Sequence, residues 1–563
     1  MFVDNRRLVV TKPCQQMLLT LAQTNGLVGD IAGNTERIIQ LTRRFATDKT
    51  PRLILFPELA ITGYPPEDLL LKPEMSARVE AALIKLSNAI PEHISLLVGA
   101  PEYHGAKRPY NALYFVSRNE RRVAARKCAL PNYSVFDEQR YFTAAHQPGV
   151  LEWAGLRIGL LICEDVWDDE VVSALADEKP DWVLVANASP YHRGKPLERR
   201  QLVTRQAQTL AAPLAYVNWV GGQDELVFDG RSCVVAPNGR LLALALAWRE
   251  DVVSVSLEQH KVAVCEDIIW PTIHEEEDLY EALKLGVRDY VNKNGFDGAV
   301  IGLSGGIDSA LTLAIAADAL GAGRVQAVMM PYHYTSSMSL EDAKEEAQRL
   351  GVQYDVISIA PMVEAFQAAL APLFSGTETD VTEENLQARC RGVLLMAISN
   401  KFRRIVLTTG NKSEMAVGYA TLYGDMAGGF GVLKDVFKTW VYRLARYRNR
   451  ISPVIPERVL ERPPSAELAP GQKDEDSLPP YPVLDAILEA YIEQDAALDD
   501  LVAQGFDAKV VERVMHLVDI NEHKRRQAPP GVRVTARAFG RDRRYPITSG
   551  YRWQPRKIRD LKP

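Results

Sequence analysis

The run Gly298-Ala299-Val300-Ile301-Gly302-Leu303-Ser304-Gly305-Gly306-Ile307-Asp308-Ser309 constrains this chain more than any other segment. An apolar stretch of strand type meets a Ser-Gly-Gly turn, and a helix-forming segment follows over 310–320. Glycine lets the backbone turn tightly with no Cβ in the way. Such a turn presents free backbone N–H groups at a helix N-terminus, where the dipole also favours an anion. The loop has no Lys, so it is not the Walker A pattern G-x-x-x-x-G-K-[ST]. A bare Gly-Gly between strand and helix reads as an ordinary turn. The full hexapeptide 304–309 in that position reads as a phosphate cradle.

Around this turn strands at 299–303, 325–330 and 353–357 alternate with helices at 309–320 and 340–350. That order predicts a parallel, doubly wound sheet, an α/β fold. Nucleotide then lies beyond the carboxyl ends of the strands, where the turn sits. The preceding half mixes short strands (17–23, 52–57, 94–99, 156–163, 182–186, 213–218) with helices at 34–46, 76–88 and 196–211. The acidic residues 274–278 suit the first turn of a new helix. A solvated linker explains them as well as a metal site does. The boundary between the halves falls near 262–271. Segment 462–482, rich in Pro and charge, reads either as a disordered loop or as an active-site lid.

Length and composition narrow the class. The 563 residues allow about three to four domains, or two large ones. Hydrophobic content of 47% and charged content of 25% are ordinary for a soluble globular protein. A formal net charge of -6 gives no general pull toward nucleic acid. The absence of a long apolar run predicts no membrane span. Residues 1–16 lack an apolar secretory core, which reads as a short preface to a cytoplasmic protein. The six cysteines (Cys14, Cys128, Cys163, Cys233, Cys265, Cys390) form no C-x-x-C pair. Their scatter argues against a zinc site or a disulfide framework and leaves room for one reactive thiol.

Three strand ends in the first half carry chemistry-bearing residues: Glu58 in Phe56-Pro57-Glu58-Leu59, Lys127 in Arg126-Lys127-Cys128, and Cys163 in Leu161-Ile162-Cys163-Glu164-Asp165. Singly, each has a bland reading: a cap, a solvated charge, a small buried hydrophobe. Together they resemble the Glu–Lys–Cys triad of the nitrilase, or carbon–nitrogen hydrolase, superfamily. The likeness extends to Gln23, Gly29-Asp30 and Asn34, and to residues 64–69, 136–142 and 187–195. It implies an α-β-β-α sandwich and an amidase. Cys163 would be the nucleophile and Glu58 the proton shuttle. Lys127 and the backbone N–H of Glu164 would stabilise the oxyanion. Glu138 matches a second glutamate that steadies Lys127 or the substrate, with a plain salt bridge as its other reading. Tyr133, Ser189 and Lys195 match the positions that contact glutamine.

The hexapeptide 304–309 resembles the loop of the ATP pyrophosphatases. A nitrilase-like half ahead of such a loop is similar to the family of glutamine-dependent NAD synthetases, over about residues 17–548. Segments 384–389, 407–414, 423–425 and 521–526 add to the resemblance. It implies a preface at 1–16, a glutaminase at 17–262, a synthetase at 263–548 and a basic tail at 549–563. It also implies amidation of deamido-NAD with ATP as co-substrate and Mg2+ as cofactor.

The loop residues Gly302, Leu303, Ser304, Gly305, Gly306, Ile307, Asp308 and Ser309 would cradle ATP, with Thr409 beside them. Asp308 and Glu414 resemble the magnesium carboxylates, and carboxylates bridging to phosphates suit that cation. Asn385 and Lys524 match deamido-NAD contacts, Glu414 could touch the same substrate, His523 and Arg391 are weaker matches to it, and Ser465 in the expected lid is a weaker match to an ATP contact.

Small-molecule partners and a homo-oligomer are expected, with no nucleic-acid or membrane partner. From His523 onward 13 Lys or Arg stand against two acidic residues. That tail is read as packed near an anionic dinucleotide or a neighbouring subunit rather than on nucleic acid. One rival reading keeps the enzyme but changes the acceptor to another carboxylate or nucleotide, as in GMP synthetase-like enzymes. The other is a nucleotide-sensing protein with decayed catalysis.

Overall fold

In the computed structural model, residues 17–105, 107–257, 268–465, 467–468, 474 and 478–550 are described. The chain forms two compact units, Met1–Ile273 and His274–Pro563. The expected preface at 1–16, the expected junction at 262/263, Cys14, Cys265 and the tail beyond 550 lie outside the described residues, as does most of 469–477.

Unit 1 holds two six-stranded sheets. Strands β1 (Leu18–Gln23), β2 (Arg52–Leu55), β3 (Ile94–Glu102), β4 (Tyr110–Ser117) and β5 (Glu120–Arg126) lie in the first. Strands β6 (Gly149–Trp153), β7 (Leu156–Ile162), β8 (Trp182–Asn187) and β9 (Leu214–Asn218) lie in the second. A hairpin, β10 (Val220–Gln223) with β11 (Leu226–Asp229), stands apart. Strands β12 (Cys233–Val235) and β13 (Leu241–Leu244) complete the second sheet, and β14 (Asp251–Ser256) returns to the first. The orders are β14-β1-β2-β3-β4-β5 and β13-β12-β9-β8-β7-β6. Pairs β1·β2, β2·β3, β7·β8 and β8·β9 are parallel.

The burial pattern explains the layers. Leu53 and Leu55 of β2 join Ile158 and Leu160 of β7 in one core between the sheets. Ile54 and Phe56 point the other way, to a core shared with α1 (Ile31–Arg43) and α2 (Glu74–Ala89). On the far side Val183 and Val185 of β8 meet helices α3 (Asp169–Asp177) and α4 (Lys195–Thr209). Side chains alternate faces along a strand, and both faces are covered. The strands therefore read as continuous apolar runs. The expected α-β-β-α sandwich is what the chain adopts.

Unit 2 opens with α5 (Glu275–Lys293), whose first turn carries Glu275, Glu276, Glu277 and Asp278. Its sheet contains β15 (Gly298–Gly302), β16 (Val325–Met329), β17 (Gln353–Val356), β18 (Arg404–Thr408) and β19 (Phe430–Gly431). The order is β17-β16-β15-β18-β19, parallel throughout. Helix α6 (Ile307–Leu320) packs on β15 and β16. Helix α7 (Val381–Phe402) sends Cys390 and Leu395 onto the face of Val300, Val328 and Val406. From β15 the chain winds outward to β17, then crosses to β18 on the other side. The crevice outside the carboxyl ends of β15 and β18 is thus the switch point where such sheets bind ligands.

Candidate active sites

In unit 1 the three expected catalytic residues come together at strand ends. Glu58 follows β2, Lys127 follows β5 and Cys163 follows β7. Glu58 and Lys127 are fully buried and Cys163 is nearly so. The Lys127 ammonium donates to Glu58 Oε1 at 2.7 Å and to Glu138 Oε1 at 2.9 Å. Glu58 Oε1 also accepts from Asn111 Nδ2 at 2.7 Å, and its Oε2 accepts from the Ala188 N–H at 3.1 Å. The indole of Trp219 donates to the Glu58 carbonyl at 2.7 Å. Glu138 takes a second donor, the Tyr64 hydroxyl, at 2.9 Å.

The electrostatics follow from burial. Burial works against the Lys127 charge, but Glu138 and Glu58 outweigh it and hold the ammonium well above the ordinary lysine range. One positive charge faces two carboxylates, so one of them tends to keep a proton. Burial pushes Glu138 up to about 7 against the opposing pull of Lys127. Burial and the nearby Glu58 carboxylate hold the Cys163 thiol well above its usual value, despite Lys127. Cys163 therefore rests as a thiol, and to act as a nucleophile it would need a base.

The turn that presents Cys163 is tight. Its φ is 49°, a left-handed conformation uncommon outside glycine. Asp165 holds the turn: Oδ1 accepts from the N–H groups of Cys128 (2.9 Å) and Ala129 (2.8 Å), and Oδ2 from Ile162 N–H (3.0 Å). One carboxylate therefore ties the segment after Lys127 to the segment carrying Cys163. Burial raises Asp165 to about 6, opposed by those N–H donors.

Of the expected glutamine contacts, Tyr133 bonds the residue after Cys163, and Ser189 follows Ala188, whose N–H bonds Glu58. The half-exposed Tyr133 donates its hydroxyl to Glu164 Oε1 at 2.8 Å. Ser189 is buried, its N–H donating to Asn218 Oδ1 at 2.9 Å. Lys195 opens α4, donates to Glu198 at 3.2 Å and lies 3.9 Å over the Trp167 ring. Gln23 and Asn34 brace loops: Gln23 Nε2 donates to the carbonyls of Leu246 and Arg249, and Asn34 Nδ2 to those of Leu27 and Ile61.

In unit 2 a cleft of about 630 Å³ opens at the switch point. It is lined by the whole loop from Gly302 to Ser309, by Thr409 and Glu414, by Asn385 and Lys524, and by Arg391 and Ser465. His523 is not among the lining residues; its Nδ1 lies 3.1 Å from the Ile520 carbonyl, on the exposed side. The cradle is held from within. Ser309 Oγ accepts from Ser304 N–H (3.2 Å) and donates to the Gly306 carbonyl (2.9 Å). Gly305 has φ 82°, and a Cβ there would stand 2.5 Å from the Ser339 carbonyl oxygen, so only glycine fits.

Asp308 stands at the start of α6, and Glu414 lies in the first turn of helix α8 (Lys412–Val417), in a reciprocal box with the capping residue Asn411. Asn411 Nδ2 donates to Asp308 Oδ1 at 2.8 Å. A lysine the sequence did not mark, Lys438, bonds Asp308 Oδ2 and lies 3.1 Å from Glu414 Oε1. Burial, opposed by Lys438 and reinforced by Asp308, pushes Glu414 up to about 8.

Lys524 donates to the carbonyls of Gly418 (2.7 Å) and Ala420 (2.9 Å), and Asn385 Oδ1 accepts from the Thr421 hydroxyl (2.8 Å). Of the basic residues after His523, three of the described ones lie inside the fold while Arg526, Arg541 and Arg544 are exposed. Arg525, Arg533 and Arg543 are buried and paired with Glu522, Asp542 and Asp519.

Sequence reading did not identify Asp165, Asn111 or Lys438. The carbon–nitrogen hydrolase model matches residues 18–267, and the NAD synthase model matches residues 279–528. The chain thus joins a carbon–nitrogen hydrolase to an NAD synthase. It is 49% identical to the glutamine-dependent NAD(+) synthetase of Acinetobacter baylyi over 538 residues, 95% of this chain and 98% of that one. It is 46% identical to that of Xylella fastidiosa over 540 residues, 95% and 99% of the two chains. Among solved structures it is similar to the glutamine-dependent NAD+ synthetase of Acinetobacter baumannii in complex with ADP. That match has TM-score 0.76 and 47% identity, covering 94% of this chain and 98% of that one. The chain belongs to the family of glutamine-dependent NAD(+) synthetases.

Proposed function

We propose that the chain amidates deamido-NAD to NAD with ATP and with ammonia released from glutamine. The buried Glu58–Lys127–Cys163 constellation, in the same chain as a Ser-Gly-Gly-Ile-Asp-Ser cradle, is the observation that carries this reading.

In unit 1 Glu58 takes the Cys163 proton as sulfur attacks the glutamine amide carbon. Lys127 and the Glu164 N–H hold the charge that develops on oxygen. Collapse breaks the C–N bond, the Glu58 proton goes to the leaving nitrogen, and ammonia departs from a thioester. Glu58 then activates water, which releases glutamate and restores the thiol. Tyr133, Ser189 and Lys195 hold the substrate, and Glu138 fixes the Lys127 ammonium.

In unit 2 the cradle from Gly302 to Ser309, with Thr409, binds ATP. Asn385, Lys524 and Glu414 bind deamido-NAD. Its carboxylate attacks the α-phosphorus, pyrophosphate leaves, and an acyl-adenylate forms. Ammonia then adds to the activated carbonyl and AMP leaves. Ammonium has no lone pair, so the nitrogen must arrive unprotonated, which favours an internal route. Asp308 and Glu414 fit a magnesium ion: an oxygen of each approaches one cation, the Lys438 ammonium, and Mg2+ commonly takes one or two carboxylates plus waters and phosphates. Bound there, the ion would neutralise charge on the phosphates.

No helix among the described residues is long and apolar enough to cross a membrane. A cytoplasmic homo-oligomer acting on small molecules, with neither nucleic acid nor membrane as partner, completes the proposal. Incubation with deamido-NAD, ATP, Mg2+ and glutamine tests it: NAD, AMP and pyrophosphate should form, and xanthylate should not replace deamido-NAD. Amidation of xanthylate instead would overturn the acceptor.

A further inference from the structure

The Lys438 side chain is 2% exposed, and its ammonium lies between two carboxylates that are each 17% exposed. It bonds Asp308 Oδ2 and reaches Glu414 Oε1 at 3.1 Å. Its position is set from several sides. The Lys438 N–H donates to Ser413 Oγ at 2.9 Å, which fixes the start of its helix beside Glu414. The Tyr481 ring centroid lies 5.2 Å from the ammonium. Asn411 holds the other oxygen of Asp308. Two buried carboxylates this close repel each other, and a cation between them removes that repulsion.

We infer that Lys438 is the resident counter-cation of the Asp308–Glu414 pair, filling the divalent metal's position until nucleotide arrives. The inference rests on reading these two carboxylates as the metal ligands. The ammonium and a metal ion compete for the same oxygens, so a free divalent cation faces an occupied site. Entry of the metal requires Lys438 to swing away, which the incoming phosphates make favourable by supplying new oxygen ligands to the metal and new anions to the lysine. The device makes metal binding depend on nucleotide and neutralises the carboxylate pair when neither is bound.

The test is Mn2+ binding to the full chain without nucleotide, read from loss of the free-ion electron paramagnetic resonance signal. Wild-type protein should bind Mn2+ weakly. Lys438→Met should bind one Mn2+ about tenfold or more tighter, within the usual span of coupling between ligands. Lys438→Arg, which keeps the charge, should resemble wild type. Adding Asp308→Asn to Lys438→Met should remove the gained site. Tight nucleotide-free binding by the wild type overturns the inference, and that arm needs no variant to fold. No gain in Lys438→Met overturns it alone, leaving the metal assignment standing if Asp308→Asn still abolishes pyrophosphate release. A gained site that survives Asp308→Asn overturns the metal assignment and the inference with it.

Discussion

Lys127 Nζ lies 2.7 Å from Glu58 Oε1, with both side chains shut off from water. Removing one partner of such a pair leaves the other charge buried, at a cost of about 3–5 kcal/mol. Lys127→Met should therefore lower the stability of unit 1 by about that amount and abolish glutamine hydrolysis. Chemical denaturation followed on the isolated signal of that unit's tryptophans checks the first, and glutamate release checks the second. A variant as stable as wild type would show that the ion pair does not stabilise the unit.

Cys163→Ala should lose glutamine-dependent NAD synthesis by at least about a hundredfold, while synthesis from added ammonium salts continues. Steady-state rates with each nitrogen source decide it. Loss of both activities would mean that the two units do not divide the labour as proposed.

Gly305→Ala should strike the opposite half. Its φ of 82° and the 2.5 Å approach of Ser339 leave no room for a methyl group. Strain of about 1–3 kcal/mol at such a position should weaken ATP use roughly ten- to hundredfold with either nitrogen source. Glutamine hydrolysis should persist. Unaltered pyrophosphate release would show that the cradle is not where ATP's phosphates lie.

Glu138 gives a pH signature. Burial raises its pKa from 4.5 to about 7. A raised carboxyl pKa contributes stability that is fully present below the unfolded value and lost as pH climbs through the folded one. Glu138→Gln imitates the protonated acid at every pH. The variant should thus gain stability relative to wild type between about pH 4.5 and 7, by on the order of 1–3 kcal/mol, and the difference should level off above that. Unfolding midpoints of both proteins across this window measure it. A flat difference would place no proton on Glu138.

The strand-to-helix turn at 302–309 was legible because its composition has no bland equivalent, and the parallel sheet followed from the alternation around it. Glu58, Lys127 and Cys163 were legible because strand ends put rare residue types where chemistry happens, though only the combination spoke. Other parts were hidden for physical reasons. The extent of β5 was hidden because Glu120, Arg121 and Arg122 carry exposed polar side chains that break the apolar pattern. The first helix starts at Ile31, three residues before the expected position, because Asp30 accepts from Gly33 N–H and caps it. Asp165 reads as one more acidic residue until its three N–H donors are seen. Lys438 opens an amphipathic helix, where a lysine ordinarily faces water, and its partner Asp308 lies 130 positions away. Nothing local signals such a pair.

Cys163 should release from glutamine the nitrogen that is fixed in the cleft at Asp308. Mass spectrometry of NAD made from glutamine labelled with heavy nitrogen at the side-chain amide tests it most directly. The label should appear in the nicotinamide carboxamide, with little dilution by unlabelled ammonium in the medium. NAD formed without the label would contradict it.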